Sequence, residues 1–334
     1  MENAQIVGAA CATMICGGLF DYCILMKGDG MRRTLLACLA ALLVCGSGLA
    51  GQKPIIGLIC KAMDSEFWQD VKRGGEDAQK KIGNVDVVIM APDREINVQQ
   101  QVQIVEDLIT QGVSGLALAP CGAQELIPVM DKAAAAGIPV VLVDTDAPSW
   151  DKKIAYVGTN NRKGGEMAGE YMAKALNGSG EVALITGIMG HQTHIDRVGG
   201  VEDVFKNHPG IKIVAKQPAN SERALGMTVM ENILTSNPNV NFTFCTNAEM
   251  TLGAYEAIKA QGSKCKLLGF DVDSQLLKLI SDGEVEGLIA QSPYDMGLLG
   301  VQAVNTVLNG GTIGKVVDVP TGVVTKANVA QYMK

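Results

Sequence analysis

The stretch GLALAPCGAQELIPVMDKAAAAGIPVVLV, residues 115–143, contains a complete strand, helix and strand pattern. An apolar run at Gly115–Leu118 precedes a helical segment that closes at Gly137, and Pro139 then opens a second apolar run at Val140–Val143. Apolar runs separated by helical segments are typical of a parallel sheet covered by helices on both faces. The stretch therefore predicts an α/β fold.

The same alternation runs through most of the chain from Lys53 onward. A further helix is indicated by the apolar spacing of residues 103–109 and ends at Gly112. Eleven strands are predicted, too many for one small doubly wound sheet. They are Ile55–Ile59, Val85–Met90, Gly115–Leu118, Val140–Val143, Ala155–Val157, Val182–Ile185, Ile211–Ala215, Phe242–Phe244, Lys266–Leu268, Gly287–Ala290 and Val316–Val319.

Two doubly wound parallel-sheet lobes are therefore expected, and 334 residues with 47% apolar side chains can fill two cores. The sequence pattern of apolar runs and helical segments changes near residues 157–160 and 291–293. These two segments are therefore hinge candidates. We expect a first lobe at 53–159 plus 292–319, a second at 160–291 plus 320–334, and a multi-segment hinge. The net charge of -7 without a basic stripe argues against a nucleic-acid partner.

Residues 1–52 read as a leader. Met31–Arg33, an apolar run at Thr34–Cys45 and the small residues that follow have the order of a secretory signal at 31–50, with cleavage after Ala50. Lipid attachment at Cys45 is an alternative. For residues 1–30, either translation begins at Met31 or the segment is a membrane anchor. The protein is thus expected outside the cytoplasm.

Four cysteines remain beyond the leader, and they are widely spaced: Cys60, Cys121, Cys245 and Cys265. Because there is no C-x-x-C pair and no histidine at zinc-ligand spacing, neither a metal site nor a cofactor is expected. Cys60 and Cys245 read as small buried hydrophobic residues. The sequence does not decide whether any two of these cysteines form a disulfide.

The segment KAMDSEFW, residues 61–68, follows the first predicted strand and combines two adjacent aromatic rings with polar groups. A sugar has C–H faces that pack on rings and hydroxyls that need hydrogen-bond partners, so this mixture suits carbohydrate. The alternative is an aromatic pair, Phe67 and Trp68, that packs into the core at a helix start.

Polar residues also follow five later strands, where ligands bind in open α/β sheets. Carboxylate, amide and guanidinium groups together satisfy hydroxyls that both donate and accept. Three of these residues have a second interpretation as helix N-caps, namely Asp144, Asn247 and Asp271. The complete set is Asp144, Arg197, Asn247, Asp271 and Gln291.

Four further segments carry a resemblance: Gln217–Ala219 before Ser221–Arg223, Asn247–Ala254, Leu268–Asp271 and Ile289–Pro293. With them the chain resembles the type I periplasmic sugar-binding proteins from about Pro54 to Val324, most closely the ribose- and allose-binding members. The resemblance implies the type I periplasmic binding protein fold.

The resemblance also implies a ligand site. Phe67 and Trp68 would flank the sugar, the five polar residues would form its hydrogen-bonding shell, and Lys61 and Ser65 would add first-lobe contacts. Thr145 stands where ribose binders have an arginine, and Ser221 stands where they have an aromatic ring. One stacking wall of the site is thus thinner. Either Trp68 or another ring takes over, or the ligand is larger, more polar or acyclic.

The implied activity is capture by hinge closure and delivery to the membrane permease of an ABC transporter, with a chemoreceptor as a possible further partner. The binding protein would be a monomer. The sequence has no G-x-x-x-x-G-K-[ST] loop, so ATP would be hydrolysed elsewhere.

Three other functions compete with this interpretation. A DNA-binding regulator would need a helix-turn-helix where residues 1–52 are apolar. An enzyme could use Asp144, Asp271, His191 or His194, but the histidines fit a solvated loop or a helix cap better, and no G-x-S-x-G or H-E-x-x-H motif is present.

The nearest rival is a receptor for an autoinducer-2-like furanosyl signal. Lys61, Asp146, Asp196 and Ala248 fall where the resemblance places contacts of such receptors. Asp271 and Gln291 favour a nutrient sugar or polyol instead.

Overall fold

The computed structural model describes residues 53–333, which build two six-stranded sheets covered by helices. The predicted leader, the start at Met31, the cleavage after Ala50 and the lipid attachment at Cys45 lie outside the described residues. Within residues 53–333, no helix combines the length and apolar character needed to span a bilayer.

The strands in chain order are β1 (Ile55–Ile59), β2 (Asp86–Met90), β3 (Gly115–Leu118), β4 (Val140–Val143), β5 (Ala155–Gly158), β6 (Ser179–Thr186), β7 (Gly210–Pro218), β8 (Phe242–Cys245), β9 (Lys266–Phe270), β10 (Gly287–Ala290), β11 (Val316–Asp318) and β12 (Gly322–Thr325). The helices are α1 (Glu66–Ile82), α2 (Val98–Thr110), α3 (Ile127–Ala135), α4 (Asn161–Ala175), α5 (Gln192–Phe205), α6 (Arg223–Ser236), α7 (Ala248–Ala260), α8 (Ser274–Asp282) and α9 (Pro293–Leu308), followed by a 3-10 turn at Val329–Gln331.

Each sheet is the core of one lobe. The first has the order β11-β5-β4-β3-β1-β2 and is parallel throughout, whereas the second has the order β12-β10-β9-β8-β6-β7, in which only β12 runs antiparallel to its neighbour. Strands β3, β4, β5, β8 and β10 are buried along their whole length, because helices cover both faces. The predicted fold of two parallel-sheet α/β lobes is confirmed.

All eleven predicted strands are present, with ends shifted by three residues or fewer. The sequence did not predict β12, which is short and, apart from Val324, only half-buried. Its place in the second sheet comes from antiparallel pairing with β10, a long-range contact that the local pattern does not encode. The helix over residues 103–109 is α2, and Gly112 follows it with a φ of 75°.

Three segments cross between the lobes. They connect β5 to α4, β10 to α9, and β11 to β12. Helix α4 packs against strands of the second sheet, and α9 returns to pack against β1, β3 and β4 of the first. Because several chain segments cross side by side, the lobes are joined by a multi-segment hinge.

Pairs of glycines hold three helix pairs at close range. A methyl group at Gly297 would overlap the carbonyl oxygen of Val71, and one at Gly74 would overlap the carbonyl oxygen of Tyr294, so α1 and α9 touch backbone to backbone. The same reciprocal arrangement occurs at Gly165 and Gly200 between α4 and α5, and at Gly226 and Gly253 between α6 and α7. Close packing of this kind leaves no room for any other side chain.

The four described cysteines are buried free thiols. Cys60 and Cys245 are fully buried in the cores, as predicted. Burial, together with the nearby Asp144 carboxylate, raises the pKa of the Cys60 thiol to about 12. These thiols therefore act as small apolar side chains rather than as nucleophiles.

Candidate functional site

A cavity lies between the two lobes, at the carboxyl ends of both sheets. The first lobe lines it with residues after β1, at the start of α1 and after β2 and β4, and the second with residues of α5 and residues after β7, β8, β9 and β10. Its lining residues are Lys61, Ser65, Glu66, Phe67, Trp68, Glu95, Asp144, Thr193, His194, Arg197, Ser221, Asn247, Ala248, Glu249, Asp271, Val272, Asp273 and Gln291.

Ten of the eleven ligand residues predicted from the sequence lie together in this lining. They are Lys61, Ser65, Phe67, Trp68, Asp144, Arg197, Ser221, Asn247, Asp271 and Gln291. The exception is Thr145, which is buried behind the cavity and donates its hydroxyl to Asp144 Oδ2 at 2.8 Å. The structure thus brings the set together, and ligand contact itself stays a prediction.

The aromatic pair lies on the first turn of α1. The Phe67 and Trp68 rings meet edge to face, with centroids 4.9 Å apart, and both belong to the core of the first lobe as well as to the cavity wall. The Trp68 indole N–H donates to Glu95 Oε1 at 3.0 Å, which fixes the plane of the indole ring. The rings are therefore anchored in the core, as the second sequence interpretation held, and they also line the cavity, while their contact with a sugar stays a prediction.

A buried ion pair joins Lys61 and Asp144 on the first-lobe side, with Nζ and Oδ2 3.0 Å apart. Burial opposes the charge on Lys61, but the attraction of Asp144 and Glu95 outweighs it and raises the pKa of Lys61. Asp144 has a φ of 61°, a left-handed conformation that costs a non-glycine residue free energy. Such strain at the end of β4 is typical of a residue whose side chain is held for function.

A second group of charges faces it from the second lobe. Arg197 donates to Asn161 Oδ1 at 2.8 Å and to the Thr246 carbonyl oxygen at 2.7 Å, and its guanidinium lies 3.7 Å from the centroid of the Phe270 ring. The Arg197 Nη1 atom is 4.0 Å from Asp271 Oδ1. The backbone and ring contacts therefore hold the guanidinium in place at the cavity.

Asp271 is held equally firmly, with a φ of 76° at the end of β9. Its carboxylate accepts from the backbone N–H of Ala248 and from the side-chain amide of Gln291. Burial raises the pKa of Asp271, although Arg197 acts in the opposite direction. Gln291 Oε1 is buried without a hydrogen-bond partner, so it is free to accept from a ligand hydroxyl.

The helix-cap interpretation is correct for one of the three residues considered. Asn247 caps α7 through Oδ1, which accepts from the Met250 N–H at 3.0 Å. Asp271 bonds to the N-terminus of α7 rather than opening its own helix, and α8 is capped by Asp273 instead. Asp144 caps no helix and pairs with Lys61.

The interpretation of His191 and His194 as solvated loop residues is wrong, and neither side chain caps α5. Both are only 4% exposed, because the N-terminal turn of α5 points into the space between the lobes. Burial and the Lys61 ammonium lower the pKa of His191 to about 3, and burial together with Arg197 lowers the pKa of His194 well below its usual range. Both rings are therefore uncharged at neutral pH.

His194 also supplies a ring beside the predicted thin wall. Its Nε2 lies 3.2 Å from Ser221 Oγ, and its Nδ1 lies 2.9 Å from Thr246 Oγ1. The imidazole packs so closely on Gly187 that a methyl group there would overlap it. The His194 ring is therefore available beside Ser221, and its stacking on a ligand stays a prediction.

Glu95 is another lining residue that the sequence did not reveal. It lies in the loop after β2, half-buried, with its carboxylate between Trp68 and Lys61. Desolvation raises its pKa, and the attraction of Lys61 partly offsets this effect. The sequence signal that could have identified Glu95 is its position after a predicted parallel strand, where ligand-binding residues are expected.

Two contacts close the rim of the cavity from opposite lobes. The Glu66 carboxylate accepts from the backbone N–H and the hydroxyl of Ser274, and Arg94 forms an ion pair with Glu222. The lobes are therefore in a closed arrangement.

Comparisons with known proteins cover both lobes. A family model, the periplasmic binding protein domain, matches residues 56–312. The ribose import binding protein of Bacillus subtilis (strain 168) is 33% identical over 265 residues, which cover 79% of this chain and 85% of that protein. An ABC transporter periplasmic solute binding protein of Actinobacillus succinogenes 130z, solved with bound D-allose, is 30% identical and superposes with a TM-score of 0.78, covering 84% of this chain and all of the other. A solute binding protein of Bacillus halodurans C-125 with bound myo-inositol gives a TM-score of 0.80 at 26% identity, covering 86% of this chain and 99% of the other.

Proposed function

We propose that this chain, which belongs to the periplasmic binding protein family, captures a monosaccharide or a related polyol outside the cytoplasm and delivers it to the membrane permease of an ABC transporter. The observation that carries the proposal is the cavity, in which one lobe supplies two rings and the other supplies a fixed guanidinium, carboxylate and amide. The relatives that bind D-allose and myo-inositol support this ligand class.

The chemistry of the lining suits a polyhydroxylated ring. Its hydroxyls can donate to Asp144, Asp271 and the free Gln291 Oε1, and they can accept from Lys61 and Arg197. Hydrogen bonds that involve a charged group contribute roughly 1.5 to 3 kcal/mol each, so a few of them give useful affinity. The buried ion pairs keep these groups in position before the sugar arrives.

Hinge closure supplies the mechanism. Ligand that contacts both lobes stabilises the closed arrangement over an open one, and a permease can then distinguish the loaded protein by its shape. In this proposal the lobes comprise residues 53–159 with 292–319 and residues 160–291 with 320–334. A signal at residues 31–50 would direct export, with lipid attachment at Cys45 as the alternative to cleavage after Ala50.

We propose binding without turnover. The contact between Ser221 and His194 places a hydroxyl beside an imidazole, but the lowered pKa of His194 makes that ring a weak base. Thr246 orients the imidazole, where a catalytic triad would use a carboxylate. The relatives named above are likewise described as binding proteins.

A nutrient sugar also fits the cavity better than a furanosyl signal does. Of the residues that pointed to a signalling receptor, Lys61 and Ala248 line the cavity, whereas Asp146 and Asp196 line a second pocket near the hinge. Asp271 and Gln291, which favoured the nutrient, lie in the cavity wall.

Thermal-shift screening against pentoses, hexoses, polyols and furanosyl signals tests the proposal. A ligand at 100 times its Kd adds about 2.7 kcal/mol of stability, and for a chain of this size we expect a rise in Tm of about 5–10 °C. Stabilisation by one sugar or polyol, without turnover, supports the assignment. Stabilisation by the furanosyl signal alone would contradict it, and so would the absence of any stabilising compound.

Trp68 should report sugar binding by fluorescence. Its ring lines the cavity, whereas Trp150, the second tryptophan, bonds to Asp131 away from the cavity. We expect Trp68→Ala to weaken binding and to remove the ligand-induced change in emission, while the control Trp150→Phe keeps that change. A full signal from a folded Trp68→Ala protein would exclude the stacking role.

A further inference from the structure

Three side chains with metal-binding atoms meet at the interface between the lobes. Glu95 comes from the first lobe. In the second lobe, His191 is the N-cap residue of α5 and His194 lies in the first turn of that helix. One ligand atom from each lies within 4.8 Å of the other two. We infer that Glu95, His191 and His194 form a binding site for Zn²⁺ that ties the two lobes together.

The donor set suits this ion. Two imidazole nitrogens and one carboxylate oxygen, with a remaining position for water, are a frequent combination at zinc sites, whereas Ca²⁺ and Mg²⁺ prefer oxygen ligands alone. The atoms need to move inward, since zinc–ligand distances are about 2.0–2.2 Å. Small changes in side-chain rotamers or in lobe closure can supply that movement.

The histidine surroundings support the assignment independently. His191 Nδ1 is buried without a hydrogen-bond partner, which is costly unless something else binds it. His194 Nδ1 contacts Thr246 Oγ1, the kind of outer hydrogen bond that orients a metal-binding imidazole and leaves Nε2 free to coordinate. Among residues 53–333, the hydrogen-bond partner of Nε2 is the rotatable hydroxyl of Ser221 alone.

The surrounding charges permit a cation. Lys61 acts on all three side chains and opposes a metal ion. Its ammonium is, however, paired with Asp144 at 3.0 Å, and Arg197 has Asp271 nearby. In each of these two pairs the positive and negative charges cancel. The Glu95 carboxylate therefore adds one negative charge that can attract a cation.

Zinc titration of the purified protein without sugar tests the inference. We expect one Zn²⁺ per chain by calorimetry, and at least a tenfold loss of affinity in each of His191→Ala, His194→Ala and Glu95→Gln. The matched control is His208→Ala, which removes the third histidine, at the end of the segment between α5 and β7, and should bind zinc like the unchanged protein. Circular dichroism establishes that each variant is folded, and His191→Gln serves if His191→Ala is not.

Scattering provides a second readout, because only an interlobe site couples zinc to closure. We expect the radius of gyration to fall when zinc is added to the unchanged protein and to stay constant in Glu95→Gln. The inference is overturned if zinc does not bind, if folded variants retain the affinity, if His208→Ala loses it equally, or if Ca²⁺ binds as tightly. Sugar titration in the presence of a chelator tests the proposed sugar-binding function separately. A failure of the zinc inference can therefore be distinguished from a failure of the proposed function.

Discussion

Replacing Asp271 by Asn is expected to weaken sugar binding at least 100-fold while the protein stays folded. The carboxylate is buried at the end of β9 and is oriented by the Ala248 N–H, the Gln291 amide and the nearby Arg197 guanidinium. If it accepts two hydroxyl hydrogen bonds, the loss is about 3 kcal/mol or more, which corresponds to about 100-fold in Kd. Asn keeps the shape and one acceptor, so the N-terminus of α7 stays bonded.

The measurement is a calorimetric titration with the sugar that the thermal screen selects. Asp131→Asn is the matched control, since it removes a carboxylate that bonds to Trp150 and Lys152 outside the cavity. Arg197→Ala should be as damaging as Asp271→Asn, because it removes the opposing donor. Unchanged affinity in either folded variant would contradict the assignment of these residues to the site.

Replacing Gly297 by Ala is expected to cost about 3 kcal/mol of folding free energy, because overpacking at a rigid contact forces the backbone to shift. The added methyl group would meet the backbone carbonyl of Val71, and neither helix can rotate away from a partner that it touches along its length. In a chain of this size that loss lowers Tm by roughly 6–12 °C.

The comparison is with Gln302→Ala, a half-buried position in the same helix. Alanine is a good helix former, so this control should change Tm by little. Calorimetric melting of both variants is the measurement. Equal melting temperatures for Gly297→Ala and the unchanged protein would show that α1 and α9 can separate, contrary to the close contact described here.

Sequence reasoning reached those site residues whose position follows from the topology of the fold. Asp144, Asp271 and Gln291 each follow a strand, and parallel strands bring their carboxyl ends to one edge, so their meeting was predictable. Thr145 shows the limit, because successive residues beyond a strand point in different directions and its side chain turns to Asp144 instead of the cavity.

Other features depend on contacts that local patterns do not contain. His194 reads as a polar loop residue until the two lobes bury it, and its ring position depends on Gly187 and Thr246. Glu95 reaches the cavity through a loop whose path the sequence does not specify. Strand β12 likewise depends on its partner, β10.

The return of α9 to the first lobe has a consequence for how the chain acquires its shape. Residues 293–308 pack against α1 and β1, which begin more than two hundred positions earlier, and against β3 and β4, so the first lobe lacks a covering layer until nearly the whole polypeptide is present. Contacts of such high sequence separation slow folding. The first lobe therefore completes its packing only after the chain has been made as far as residue 308.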